Sequence, residues 1–164
     1  ERSKLANAQN GKLFISIHAN SAEDQRAHGF ETYLIGVNKN AAAVRTAARE
    51  NAVLALEGSD IQTLTDEALI KATITQASFA SGSERFAALV QEEMNKRLQS
   101  KDRGVKQAGF YVLAYTSMPN VLIELGYISN PSEEKKLRSS QYKDALATSI
   151  YRAIEKYQNT LDTN

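Results

Sequence analysis

The sequence predicts an α/β fold, and three observations carry the prediction. Short runs rich in β-branched and aromatic residues alternate along the chain with longer stretches of helical spacing. Two of the short runs, 13–17 and 121–125, are apolar at nearly every position, the pattern of strands covered on both faces. No segment repeats and none is of low complexity, so no repeat architecture competes with this reading.

In order, residues 13–17 give the first strand and residues 30–35 the second, with Gly29 and Gly36 punctuating the strand ends. Residues 41–56 are alanine-rich, with Val44, Ala47, Ala48 and Ala55 available for one face, and predict a helix. Gly58-Ser59-Asp60 breaks it. Residues 64–79 keep helical propensity, but their apolar pattern (Leu64, Ala68, Ile70, Ile74, Ala77) is blurred. Ser81 and Glu84 stand at capping-box spacing, and Phe86, Leu89, Val90, Met94 and Leu98 follow at helical intervals, predicting a helix with one face on the sheet. Residues 110–115 and 120–125 read as two further strands, with 114–119 a hairpin or an edge turn between them. Asn130-Pro131-Ser132-Glu133 offers a cap, a proline at the first helical position and a glutamate, and so opens a short helix ending near Arg138. A last helix begins after Ser139 or Ser140 and buries Tyr142, Leu146, Ile150, Ile154 and Tyr157, a stripe that is core.

At 164 residues, 42% of them hydrophobic and 24% charged, the chain has the composition of one globular domain, expected to be a monomer. A net charge of +1 is neutral on nucleic acid, but no basic stripe interleaved with aromatics appears, so no nucleic-acid partner is expected. The chain has no cysteine, which excludes disulfides, thiolate zinc sites and cysteine nucleophiles. No apolar stretch is long enough to span a membrane, and no signal peptide is visible.

Two polar residues sit where the pattern expects apolar ones. Glu124 lies inside the run Val121-Leu122-Ile123-Glu124-Leu125, and a glutamate is almost never buried unless it is paired, ligates a metal or works in catalysis. Two readings stand level on composition: a strand-end carboxylate satisfied by an arginine such as Arg2 or Arg103, and an active-site carboxylate. His18 ends the run Phe14-Ile15-Ser16-Ile17, and ligands gather at the carboxyl ends of strands in open α/β sheets. A lone histidine there is more often a hydrogen-bonded structural residue than a ligand. One His and one Glu do not complete a zinc site, which takes three protein ligands when catalytic. Ser16 alternates with apolar neighbours and is placed to hold a backbone or a ligand. His28, before Gly29, reads as a surface histidine.

Four motifs come in order: Phe14-Ile15-Ser16-Ile17-His18-Ala19-Asn20, Gly29-Phe30-Glu31-Thr32-Tyr33-Leu34, Arg103-Gly104-Val105-Lys106-Gln107-Ala108-Gly109-Phe110-Tyr111-Val112-Leu113, and Pro119-Asn120-Val121-Leu122-Ile123-Glu124-Leu125-Gly126-Tyr127-Ile128-Ser129-Asn130. With them the chain resembles the zinc-dependent N-acetylmuramoyl-L-alanine amidases of the type-3 family, cell-wall enzymes of bacteria and their phages. The resemblance implies a mixed, mostly parallel sheet flanked by helices on both faces, a zinc hydrolase/phosphorylase-like three-layer sandwich. It also implies that His18 corresponds to a zinc-binding histidine and Glu124 to the catalytic glutamate, with Zn²⁺ as cofactor. Asn20 would shape the cleft rim, although a turn-forming asparagine explains it equally well.

The family's other zinc ligands, a histidine in a Gly-His-Gly-Gly-like turn and a glutamate after it, match nothing here and are expected upstream of Glu1. The chain therefore reads as the C-terminal two-thirds of one catalytic domain over residues 1–164, its first strands missing, and inactive as the fragment it is. Residues 57–82 fit the family least well. They resemble an inserted regulatory segment of division amidases that lays a helix over the zinc cleft, with Asp66 or Glu67 the candidate autoinhibitory carboxylate and an activator protein relieving it; a solvated surface helix explains them at least as well. The implied activity is hydrolysis of the amide between N-acetylmuramic acid and L-alanine, for cell-wall remodelling or daughter-cell separation. Peptidoglycan is then the partner, in the periplasm or outside the cell. The alternatives are a non-catalytic peptidoglycan-binding remnant and another zinc peptidase.

Overall fold

The computed structural model describes residues 2–37, 40–56 and 66–162. In chain order these form α1 (Arg2–Ala8), β1 (Phe14–Asn20), β2 (Phe30–Ile35), α2 (Ala41–Leu56), α3 (Asp66–Gln76), a 3-10 turn (Ala77–Phe79), α4 (Ala80–Arg97), β3 (Asp102–Ala108), α5 (Tyr111–Ala114), β4 (Asn120–Tyr127), α6 (Pro131–Arg138) and α7 (Ser140–Asp162). The four strands make one sheet in the order β1-β4-β2-β3. No helix among the described residues is long and apolar enough to cross a membrane.

The sheet is mixed and mostly parallel. Phe14 N–H donates to Pro119 O and Ile128 N–H to Asn20 O, so partners advance together and β1 runs parallel to β4. Phe30 N–H donates to Lys101 O and Gly36 N–H to Ala108 O, which makes β2 and β3 parallel in the same way. Tyr127, which closes β4, bonds Glu31 near the start of β2, so these central neighbours run in opposite directions.

The β1–β4 register is interrupted by one residue. The first bond sets Phe14 opposite Asn120, while the last sets Asn20 opposite Tyr127. Residues 14–20 thus face 120–127, and β4 holds one residue more than β1: a β-bulge. Gly126 lies in that stretch with φ +157°, and a Cβ there would stand 3.1 Å from Glu133 Oε2. With the extra residue placed at Gly126, the glycine of the stretch, and counting by twos from Phe14 and Asn120, Ser16 faces Leu122 and His18 faces Glu124.

The chain packs as two units. The first comprises Glu1–Ser16, Tyr33–Ser83 and Lys106–Leu122. Its core is Tyr33, Ala43, Ala47, Ala108, Phe110, Val112, Leu113 and Leu122, and the Tyr33 and Phe110 rings lie 4.9 Å apart at 60°. The second comprises Ile17–Thr32, Glu84–Val105 and Ile123–Asn164. Here α4 buries Phe86, Val90 and Met94, α7 buries Leu146, Ile150 and Tyr157, and Phe86 meets Tyr157 edge-on at 5.5 Å.

Several elements differ from the sequence expectation. Residues 110–115 are not a strand: Asn51 accepts the Tyr111 N–H and donates to Gly109 O, turning the chain into α5, whose four residues are all buried. A continuous apolar run of that length suits a buried strand and a buried helical turn alike. The third strand is instead Asp102–Ala108, an edge strand whose exposed polar residues and Gly104 (φ +76°) hide any alternation. Ser81 caps nothing, because helix continues through it; Ser83 is the working serine, donating to Phe79 O and accepting the Asn120 N–H. On α2 the buried positions are Ala43, Thr46 and Ala47, while Val44 and Ala48 face solvent and the Ala55 side chain lies outside the described residues. Tyr142 and Ile154 on α7 are only half-buried. The α6 start agrees with expectation: the Asn130 side chain accepts the Ser132 and Glu133 N–H groups ahead of Pro131, a cap of the kind worth about 1 kcal/mol.

Candidate functional site

The period of a strand places Ser16, His18 and Asn20 on one side of β1 and Ile17 on the other. Ser16 and Asn20 are buried and His18 half-buried, whereas Ile17 is 54% exposed. The three candidate side chains are therefore on the covered face. Opposite His18 in register is Glu124, with no exposed surface at all. A carboxylate removed from bulk water exchanges a proton only with a group or molecule held directly against it.

Beyond this pair, a second buried carboxylate gathers the strand ends. Glu31, 1% exposed, accepts the Asn20 amide N–H (2.9 Å) and the Tyr127 hydroxyl (2.8 Å) on Oε1, and the Arg103 Nε–H (3.1 Å) on Oε2. Arg103 also lies 5.2 Å from the Tyr127 ring centroid, a cation–π contact. Burial pushes the Tyr127 phenol well above its usual range, and the Glu31 carboxylate beside it pushes further, against the opposing charge of Arg103; the Glu124 carboxylate adds to the rise. Glu124 and Tyr127 thus share one electrostatic environment, although their odd spacing on a regular strand would set them on opposite faces. One extra residue between them, as at Gly126, removes that conflict.

A third buried carboxylate fixes the loops behind the strand ends. Glu133 Oε2 accepts the Gly29 N–H (2.8 Å) and the Tyr127 N–H (3.2 Å), and Oε1 accepts the Ser100 hydroxyl (3.2 Å). Gly29 has φ +104°, and a Cβ there would lie 2.2 Å from Lys101 O, so only glycine brings the backbone this close.

The sequence-predicted residues fall as follows. His18 and Glu124 come together in register. Ser16 is on the same face of β1. Asn20 is buried, with its amide committed to Glu31 and its Oδ1 accepting the Ser21 N–H, so it acts from inside the strand end. Arg103 bonds Glu31 and the His28 carbonyl, and His28 is exposed with Nδ1 at 2.8 Å from Arg26 O. Glu67 is exposed on α3; the Asp66 side chain and residues 57–65 lie outside the described residues. Sequence reasoning gave no role to Glu31 or Tyr127. The signal was available, since Phe30-Glu31-Thr32-Tyr33-Leu34 carries a lone charge in an otherwise buried run, as the run around Glu124 does.

His18 has the chemistry of a metal donor. Among the described residues, however, no group of three His, Cys, Asp or Glu side chains is placed to hold a metal ion. A catalytic zinc site takes three protein donors, and His18 would supply one of them.

Comparison with known proteins points one way. The family model described as N-acetylmuramoyl-L-alanine amidase matches residues 1–156. An uncharacterized protein of Bacillus subtilis, YqiI, is 32% identical over 96% of this chain and 56% of its own length. The N-acetylmuramoyl-L-alanine amidase LytC of the same organism is 31% identical over 94% of this chain and 23% of its own. The crystal structure of an N-acetylmuramoyl-L-alanine amidase from Clostridium difficile superposes with a TM-score of 0.66 at 26% identity, over 96% of this chain and 63% of that one. The chain thus spans between about a quarter and somewhat over half the length of these curated relatives.

Proposed function

The chain belongs to the N-acetylmuramoyl-L-alanine amidase family, and from that premise we propose that it takes part in cutting the amide bond between the lactyl group of N-acetylmuramic acid and L-alanine in peptidoglycan. The observation that carries the proposal is the register of β1 on β4, which sets His18 opposite a fully buried Glu124. Amide hydrolysis needs a strengthened nucleophile, positive charge for the oxyanion and a proton carrier for the leaving amine. Zinc, on which the family generally depends, supplies the positive charge and lowers the pKa of water to about 7 when bound. His18 is the donor this chain offers it, and the remaining donors come from residues other than those described.

Glu124 is assigned the proton. It takes one from the attacking water and returns it to the departing L-alanine nitrogen, a role worth roughly 10²- to 10⁴-fold in rate. Its burial keeps that proton from bulk solvent. Cell-wall remodelling or daughter-cell separation is the corresponding process, and the cell envelope or its exterior the corresponding place.

Product analysis tests the assignment. Purified peptidoglycan is digested with the zinc-loaded full-length protein, and the fragments are identified by mass spectrometry. Free stem peptides with an unblocked L-alanine amine, and glycan with a free lactyl carboxyl, are expected. Cleavage inside the peptide would make the protein a different peptidase, and binding to peptidoglycan with no cleavage would leave a binding module.

A further inference from the structure

We propose that Glu31 is a positioning residue for this reaction, a charged clamp that fixes where Glu124 stands relative to His18; the inference rests on the amidase reading above. A regular parallel ladder fixes both strands residue by residue, but β4 carries one residue too many between Asn120 and Tyr127, so its ladder with β1 alone does not fix the segment around Glu124. Its other neighbour, β2, must help to hold it.

The Glu31 carboxylate does so from β2. It binds Tyr127 just past the bulge on β4, Asn20 at the facing position on β1, and Arg103 on β3, so one buried group joins all four strands. Asn20 is two residues beyond His18, and Tyr127 three beyond Glu124. The clamp therefore grips each strand directly after its functional residue. Two oxygens accepting from three donors, one of them a guanidinium, is the arrangement of an ionised carboxylate. A glutamine in its place would keep the two bonds on Oε1 and present an N–H to the Arg103 N–H, breaking one arm selectively.

A displacement of about 1 Å in a catalytic group can cost on the order of 10²-fold in rate while leaving substrate affinity largely intact. Loss of the clamp should therefore appear in kcat and not in KM. The test compares the zinc-loaded full-length parent with the same protein carrying Glu31→Gln or Tyr127→Phe, the latter a change that removes a single hydroxyl. Three quantities are measured: kcat and KM on a soluble muropeptide, zinc content, and hydrogen exchange of the backbone amides of residues 124–128.

Both variants are expected to lose at least tenfold in kcat, with KM within about twofold and zinc content unchanged. Exchange at 124–128 is expected to quicken while the α4 and α7 amides keep their protection. Parental kcat in both variants overturns the proposal, as does parental exchange at 124–128. Lower stability with parental kcat below the melting temperature also overturns it, leaving a structural role only. If the parent releases no product, the amidase reading fails by itself; Glu31 then keeps no positioning role in that reaction, and the exchange measurement still decides whether the clamp exists.

Discussion

At the scale of single residues, four glutamates among the described residues are almost fully buried, and three of them, Glu31, Glu124 and Glu133, lie at or beside the candidate site. Glu124 faces His18, Glu31 is shared among three donors on three strands, and Glu133 closes the loops behind them. Burying a charge is costly unless hydrogen bonds replace its hydration. For Glu133 those bonds come from two backbone N–H groups and a serine hydroxyl. Glu133→Ala removes the acceptor and strands the Gly29 and Tyr127 N–H groups in the interior, at about 1–3 kcal/mol for each group left unmet. A urea midpoint shift equivalent to at least about 2 kcal/mol is expected; a loss below about 0.5 kcal/mol would show that water replaces the carboxylate.

At the scale of elements, α4 and α7 are joined by packing and by charge. Phe86 meets Tyr157, and Lys156 bonds Glu92 (2.9 Å) and Glu93 (2.7 Å), with Arg97 and Lys96 also on Glu93. Lys156, then Arg97 and Lys96, hold the Glu93 carboxyl at about 2, below its ordinary 4.5. A group with a lowered pKa in the folded state stabilises above its unfolded pKa, and that contribution fades as the pH falls towards the folded value. Stability should therefore drop between about pH 4.5 and pH 2. In Glu93→Gln, urea midpoints measured across this window should decline less steeply than in the parent. Equal slopes would assign the acid sensitivity to other carboxylates.

The same scale shows what the sequence reveals and what it conceals. The Asn130 cap, the proline after it and the spacing of Phe86, Val90 and Met94 are local signals, and the helices they predict are present. β1, β2 and β4 are legible because their cores are apolar. β3 is not, since an edge strand with one polar face and a central glycine lacks the period that marks a strand. α5 is misread as a strand because its turn is imposed by Asn51, a partner about sixty residues away. Register is also beyond a single sequence. No local feature announces that Gly126 carries a bulge, so the meeting of Tyr127 with Glu31 is visible only once the strands are paired.

At the scale of the whole molecule, the site is a product of topology. His18, Glu31, Arg103, Glu124 and Tyr127 come from four strands, and the sheet order β1-β4-β2-β3 brings together positions that are scattered along the sequence. Residue chemistry alone identified His18 and Glu124 as unusual, and motif resemblance assigned them roles. Glu31 escaped because its function is to hold other residues, which needs partners to be recognised. The direct test of the account is the rate of stem-peptide release by the zinc-loaded full-length protein carrying Glu124→Gln, an isosteric change that removes the proton acceptor and leaves the shape. A loss of at least about 10²-fold, with zinc content and melting temperature at parental values, is the predicted result. Parental activity in that variant would contradict the account, because the residue facing His18 would then carry no proton in the reaction.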